Sequence, residues 1–413
     1  MLAHRIPLLI VGGGIGGLAA ALAVSRAGYT AHVIERTEAF AELGAGLQLA
    51  PNATRVLDRL GLLDEIKHHA VFPKRLVMGD ALSGALITTV DLGQTFLDHF
   101  GYPYLVMHRG DLLGAQLNAC RNSPRIVLES NKEAIRIEDL GDGVRAEFLD
   151  GSSYECDALI GADGLHSLVR RTIADDGDPI CAQFVAYRGT VPMDEVPKDA
   201  DLDSMTIWVG PDLHFVQYCI RPGELFNQVA VFRSDKYTPN SDDWGTPEEL
   251  DEHFAKTCPR VRHGIAKLRR GRRWPMYDRL PISNWTRNRI TLLGDAAHPM
   301  LQYIAQGACQ ALEDANCLGD KMAEHAGDVT EVFRGYQEAR IPRTSRVQEA
   351  ARFFGDVKHI HGVGVPLRNA LLARRASDDF DYFDWLYGYT GCPDEEESAA
   401  PSEEATARRT GIR

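Results

Sequence analysis

The sequence has no uninterrupted apolar run long enough to cross a membrane. Its first hydrophobic stretch, Leu8-Leu9-Ile10-Val11, stops at Gly12, far short of the ~18 residues that a spanning helix needs. A soluble, cytoplasmic protein is expected. Eight cysteines, spread from Cys120 to Cys392, form no C-x-x-C pair and have no histidine at ligand spacing, which argues against a disulfide framework and a structural metal. Most are expected to serve as small apolar packing residues. Positive charge is in deficit: 45 Lys and Arg against 58 Asp and Glu leave a net charge of −13, a poor partner for nucleic-acid phosphates. The densest basic run, Arg269-Arg270-Gly271-Arg272-Arg273, reads as a solvated turn. Internal repeats are absent as well.

What is present begins at residue 8. The apolar run leads straight into Gly12-Gly13-Gly14-Ile15-Gly16-Gly17, and a second run, Ala31-His32-Val33-Ile34, closes on Glu35. Strand, turn, helix and strand in this order make a dinucleotide site. Gly12 forms the tight turn, Gly14 lets backbone N–H groups approach a pyrophosphate, and Gly17 lets the helix lie close on the strand. An Ala-rich helix ended by Gly28 follows. Glu35 stands near the ~20-residue offset at which a carboxylate meets a ribose hydroxyl, and Arg36 beside it is counted in the same set. A glycine turn alone is commonly just a tight loop; the flanking elements make this one a nucleotide site, equally suited to NAD and FAD.

The 413 residues exceed the ~250–300 at which a single core stops growing, so more than one domain is expected. Residues 1–175 read as the first part of an α/β nucleotide-binding domain. Residues 176–285 read as an inserted antiparallel-sheet domain for the substrate, in which strands around 205–209, 214–220 and 228–232 are separated by the turns Gly210-Pro211-Asp212 and Arg221-Pro222-Gly223-Glu224. Alternation along the second of these strands puts His214, Val216, Tyr218 and Ile220 on one face. Residues 286–392 read as the second part of the nucleotide domain with C-terminal helices. The acidic, Ser/Ala/Pro-rich stretch 393–413 reads as a disordered tail.

Two further segments narrow the cofactor. One is Asp157-Ala158-Leu159-Ile160-Gly161-Ala162-Asp163-Gly164, followed by Ser167 and Arg170. The other is Gly294-Asp295-Ala296-Ala297-His298-Pro299, followed by Gln306-Gly307-Ala308 and a helical stretch with Glu313 and Asp314. With the glycine turn, these resemble the three fingerprints of the class A flavoprotein aromatic hydroxylases, the para-hydroxybenzoate hydroxylase family. The resemblance runs from Ile10 to the segment 384–389. It implies an FAD-binding Rossmann-like domain with an inserted antiparallel sheet and a helical C-terminal region. Glu35 would meet the adenosine ribose, Arg109 the pyrophosphate and Asp295 the ribityl hydroxyls, with Asp163, Gly307 and Ala308 completing the site. A helix starting at Gly307-Ala308 would aim its N–H groups and positive dipole end at the flavin's pyrimidine edge. A single dinucleotide fingerprint fits NADH or NADPH as a transient co-substrate.

The implied reaction is hydroxylation of a phenolic aromatic acid by dioxygen through a flavin C4a-hydroperoxide. That species is a modest electrophile, so a ring hydroxyl must give up or share its proton. His214, Tyr218 and Gln302 are the candidates for binding and polarising it. The segments Ala186-Tyr187-Arg188-Gly189-Thr190 and Trp274-Pro275-Met276 resemble those of family members that act on 3-hydroxybenzoate, and the resemblance implies that substrate, with 2,5-dihydroxybenzoate as product. Gln302, where many family members carry Pro, weighs against the alternative, decarboxylative hydroxylation of salicylate to catechol. Arg188 is one possible cation for the substrate carboxylate, and the sequence leaves that anchor open. Leu47 and Leu49 are expected as apolar walls that keep water out, and His298 as a structural residue. A homodimer is allowed for. A regulatory flavoprotein and a plain NAD dehydrogenase are the competing readings.

Overall fold

The computed structural model describes residues 4–41, 45–239, 241 and 243–391. The expected disordered tail, 393–413, lies outside them.

Two sheets organise the chain. The first has eight strands, and its centre is five parallel ones in the order Ile290–Leu292, Ser153–Gly161, His4–Val11, Ala31–Ile34 and Ile126–Glu129. Leu8, Leu9, Ile10 and Val11 are all buried, the near-continuous apolar run that an interior parallel strand requires. The helix Ile15–Arg26 packs on this sheet with most of its residues buried, and the helix Gly307–Glu324 packs against it in turn.

The second sheet has seven strands in the order Arg273–Asp278, Ile180–Pro192, Leu225–Arg233, Leu213–Ile220, Ser204–Gly210, Arg75–Asp80 and Leu86–Asp91. Neighbours are antiparallel except Arg75–Asp80, which runs parallel beside Ser204–Gly210. The two turns read from the sequence lie between the strands it predicts, with Asp212 and Gly223 at positive φ. Phe215, with Trp208, Tyr187 and Phe232, packs in an apolar cluster under the helices Pro247–Phe254 and Pro259–Lys267. His214, Val216 and Tyr218 face the other way, into the space between the two sheets.

One part of the expected organisation needs correcting. The stretch 1–175 is not devoted to the nucleotide side, because Arg75–Asp80 and Leu86–Asp91 are strands of the second sheet. The parallel partner of the first of them lies well over a hundred residues downstream, and a parallel pair has no connecting hairpin for sequence inspection to find. Beyond 286, two short strands complete the first sheet, followed by the helices Gly307–Glu324, Val329–Lys358, Gly364–Leu372 and Asp381–Tyr387. No helix among the described residues is long and apolar enough to cross a membrane, and the described cysteines are all free.

Candidate active site

A cavity of about 1450 Å³ lies between the sheets, larger than the ~300–1,000 Å³ of an ordinary ligand cleft. At one end it is lined by Gly12, Gly14, Glu35, Arg36, Arg109, Asp163, Asp295, Gly307 and Ala308. Gly17 does not line it. A Cβ on Gly17 would lie 1.9 Å from the Gly12 carbonyl oxygen, and one on Gly12, at φ +112°, would lie 2.3 Å from that of Ala162. The glycines therefore let the turn, the helix after it and the neighbouring strand end pack closer than any side chain would allow.

The helix after that turn is capped by the extended backbone of Gly14 with no side-chain cap, so its first N–H groups have no partner within the helix. The helix starting at Gly307 also lacks a side-chain cap, and Ala305 before it sits at φ +54°. Two helix N-termini thus present orphan donors and positive dipole ends to one cavity, a donor set suited to a pyrophosphate and an electron-rich ring. Glu35 is half-buried. Its Oε2 accepts from Gly13 N–H at 2.9 Å and its Oε1 from Thr37 N–H at 3.0 Å, which fixes the carboxylate at the rim. Asp163 differs from the expectation of direct cofactor contact: its carboxylate accepts from Leu168 and Val169 N–H and from the Ser167 hydroxyl. It lines the cavity, but its oxygens cap the helix Leu168–Ile173.

Asp295 lies exposed on the cavity side of a 3₁₀ turn, Gly294–Ala296, and a buried charge cluster supports that turn. Asp314 Oδ2 accepts from Gly294 N–H at 2.9 Å and pairs with His298 Nε2 at 2.5 Å. Arg340 donates to Asp314 Oδ1 and Glu313 Oε2, both at 2.7 Å, and Arg343 donates to Glu313 Oε1 at 3.0 Å. Burial pushes the Asp314 carboxyl up, but His298 and Arg340 outweigh it and bring it down to about 2. His298 accordingly sits within the support. Arg340 and Arg343 went unread in the sequence; the acid pair Glu313-Asp314 among Ala311, Leu312 and Ala315 was the available signal, because buried carboxylates demand cations.

At the other end of the cavity Tyr218, Gln302 and His214 appear. Tyr218 is buried, hydrogen-bonds Gln48, and has its phenol pushed well up by burial; Tyr104 donates to the same Gln48 at 2.6 Å. Gln302 Oε1 accepts from Arg188 at 3.0 Å. His214 Nδ1 lies 2.8 Å from His359 Nε2, and burial, then Lys358, then His359 drive its pKa well below the ordinary value. His214 is therefore a neutral imidazole that shares hydrogen bonds without holding a proton as charge. Four residues along one strand separate it from Tyr218, ~13 Å at the backbone, with Val216 between, so the two stand at the ends of one row along the cavity wall. Leu47 lines the cavity as expected; Leu49 does not, and is fully buried in the core.

A dinucleotide cradle that opens onto a ring-sized polar niche defines a flavin-dependent oxidoreductase. The chain belongs to the FAD binding domain family, whose model matches residues 5–351. It is 38% identical over 385 residues to 3-hydroxybenzoate 6-hydroxylase of Polaromonas naphthalenivorans (strain CJ2), covering 93% of this chain and 96% of that one. It is 35% identical over 397 residues to 3-amino-4-hydroxybenzoate 2-monooxygenase of Streptomyces cremeus, covering 95% and 98%. Among solved structures, Klebsiella pneumoniae HpxO complexed with FAD and uric acid matches with a TM-score of 0.81 and 26% identity, over 92% of this chain and 96% of that one. The chain is an FAD-dependent monooxygenase.

Proposed function

We propose that the protein hydroxylates 3-hydroxybenzoate para to its hydroxyl, giving 2,5-dihydroxybenzoate, with NADH or NADPH as reductant and dioxygen as oxidant. The observation that carries this reading is the niche itself, where Tyr218, Gln302 and Arg188 line the same cavity as the cofactor cradle, in a chain 38% identical to relatives that bear this activity in their name. Dependence on a nicotinamide reductant fits a cytoplasmic enzyme.

FAD, when bound, takes electrons from the nicotinamide and activates dioxygen. The protein's part is binding, orientation and proton handling. The N–H groups after Gly12 and Gly14, with Arg109, would hold the pyrophosphate; Glu35 would take the adenosine ribose and Asp295 the ribityl hydroxyls, a carboxylate suiting a diol and a guanidinium a phosphate pair. The helix start at Gly307-Ala308, without a side-chain cap, would stabilise negative charge on a flavin ring bound beside it. Tyr218, neutral because burial holds its phenol up, would donate a hydrogen bond to the substrate hydroxyl oxygen and so stabilise the negative charge that gathers there as the ring is activated. His214 flanks the ring from the far side of Val216. Leu47, Val216 and Met300 line the space and limit water.

The test is reductant consumption with and without a panel of monohydroxybenzoates, followed by product identification. Strong stimulation by 3-hydroxybenzoate with 2,5-dihydroxybenzoate as product is expected. Catechol and carbon dioxide from salicylate, or no stimulation by any acid, would overturn the reading.

A further inference from the structure

One cation in the cavity has no acid facing it. Arg188 stands on the strand Ile180–Pro192, paired with Val229, which pairs in turn with Val216. All three line the cavity, so the guanidinium belongs to a row that crosses three strands and ends on the strand bearing His214 and Tyr218. Among the described residues its one hydrogen bond is to Gln302 Oε1, at 3.0 Å, and Nε has no partner. Its Cζ lies 5.2 Å from the centre of the Trp274 ring, on which Arg272 also rests at 5.2 Å. Burial, then Arg109, disfavour its charge; the Tyr218 phenol opposes them and Arg272 adds to them, and no carboxylate is among these groups. Asp295 acts on Arg109. In a chain of net charge −13, the niche is thus a positive spot. A guanidinium out of water without an anion is costly, so this arrangement is complete only when a ligand brings one.

The contact with Gln302 carries a second consequence. With Oε1 committed to Arg188, the Gln302 NH₂ group is left with Met276 Sδ at 3.9 Å, a weak acceptor. The amide therefore presents donors, which suit an oxygen that is gaining negative charge. Building on the function proposed above, we propose that Arg188 is the anchor for the carboxylate of the aromatic acid, and that the same guanidinium orients Gln302 so that its NH₂ donates to the ring hydroxyl. One side chain then binds one substituent of the ring and holds the amide that meets the other, and a phenol lacking the acid loses the anchor while Gln302 stays turned. Arginine is suited to this double task because its planar fork serves a carboxylate and an amide oxygen together, which a lysine point charge does not.

The experiment uses FAD-loaded wild type, Arg188→Gln and Arg188→Lys. Ligand dissociation constants for 3-hydroxybenzoate, benzoate and the neutral 3-hydroxybenzamide are read from perturbation of the flavin absorbance without reductant. Arg188→Gln is expected to weaken both acids by about 100-fold, the loss of a charge-assisted pair, and to leave the amide within a few fold. Arg188→Lys is expected to recover part of the binding while hydroxylation stays slow, because Gln302 is no longer held. Wild-type acid binding in Arg188→Gln, or equal loss of acids and amide, overturns the anchor. Arg188-dependent benzoate binding in an enzyme that hydroxylates none of the panel leaves the anchor standing and removes the functional reading. Hydroxylation with acid binding indifferent to Arg188 does the reverse, and a wild type that binds no acid removes both.

Discussion

Replacing Arg340 with methionine keeps most of its apolar stem volume and removes the charge on which two buried carboxylates depend. Arg340 is fully buried and donates to Asp314 and Glu313 at 2.7 Å each and to Gln310 Oε1 at 2.8 Å. After the change Glu313 retains Arg343, Asn52 and Gln310, while Asp314 retains His298, Gly294 N–H and the Tyr336 hydroxyl but no arginine. Removing one partner of a buried ion pair costs about 3–5 kcal/mol. Linkage gives a similar scale. Holding Asp314 at about 2 against the ordinary aspartate value of 3.8 is worth roughly 2.5 kcal/mol at 1.36 kcal/mol per unit. That contribution is complete above pH 3.8 and is lost as pH falls through 2, so the variant should lose part of the acid-side slope in that window. At about 2.1 cal/mol/K per residue, a loss of about 4 kcal/mol lowers Tm by roughly 4–5 °C for this length of chain. Because Asp314 holds Gly294 N–H beside Asp295, FAD should also dissociate faster, which release of flavin fluorescence reports. Arg334→Met, on the exposed side of the same helix, is the control and should change neither quantity. An Arg340→Met protein with unchanged Tm and flavin release would refute the reasoning.

Gly17→Ala places a methyl group where the Gly12 carbonyl already lies 1.9 Å away, so helix and turn must part. A cost of about 3 kcal/mol and a low flavin-to-protein absorbance ratio are expected, and full loading would contradict the close packing. Tyr218→Phe should slow hydroxylation by about 10–100-fold, the worth of one hydrogen bond in the transition state, with FAD content intact; unchanged turnover removes Tyr218 from the mechanism. Lys358 is buried, donates to the Tyr303 carbonyl and is held down to about 7 by burial. Between pH 7 and 10.5 the unfolded chain keeps this proton and the folded one does not. Stability therefore rises with pH across that window, by up to about 1.4 kcal/mol per unit. Lys358→Met should flatten the rise, and a slope like that of wild type would show that the amine keeps its proton in the fold.

The parts of the molecule legible in the sequence are those where backbone geometry leaves little choice. Gly12 at φ +112° and Gly17 against its carbonyl admit no other residue, so the turn announced itself. The strand Leu213–Ile220 was legible because its period of two matches a sheet with an apolar cluster on one face and a cavity on the other. What escaped notice depends on partners far away in the chain. Arg340 and Arg343 resemble any solvated arginines of a long polar helix until Glu313 and Asp314 are brought against them. Gln48 and Tyr104 meet Tyr218 only because separate strands converge there. Asp163 looks like a ligand carboxylate in its motif, and only the backbone of 168 and 169 shows that its oxygens are engaged locally. His214 was read for its chemistry, but His359, which bonds it, and Lys358, which packs beside it to add to the burial that lowers its pKa, come from the end of a helix more than a hundred residues on.

The placement of Arg75–Asp80 beside Ser204–Gly210 also bears on how the protein can be dissected. The chain leaves the first sheet after residue 34, returns by 126, leaves again after 161 and returns by 286. Neither half is one continuous length of polypeptide. A fragment spanning 176–285 would lack two of its sheet's seven strands and expose the edge of Ser204–Gly210 to self-association, while the remainder would carry those two strands with nothing to pair with. Four covalent crossings bind the walls of the cavity to each other, so its shape is inherited by the whole chain and is not portable as a module.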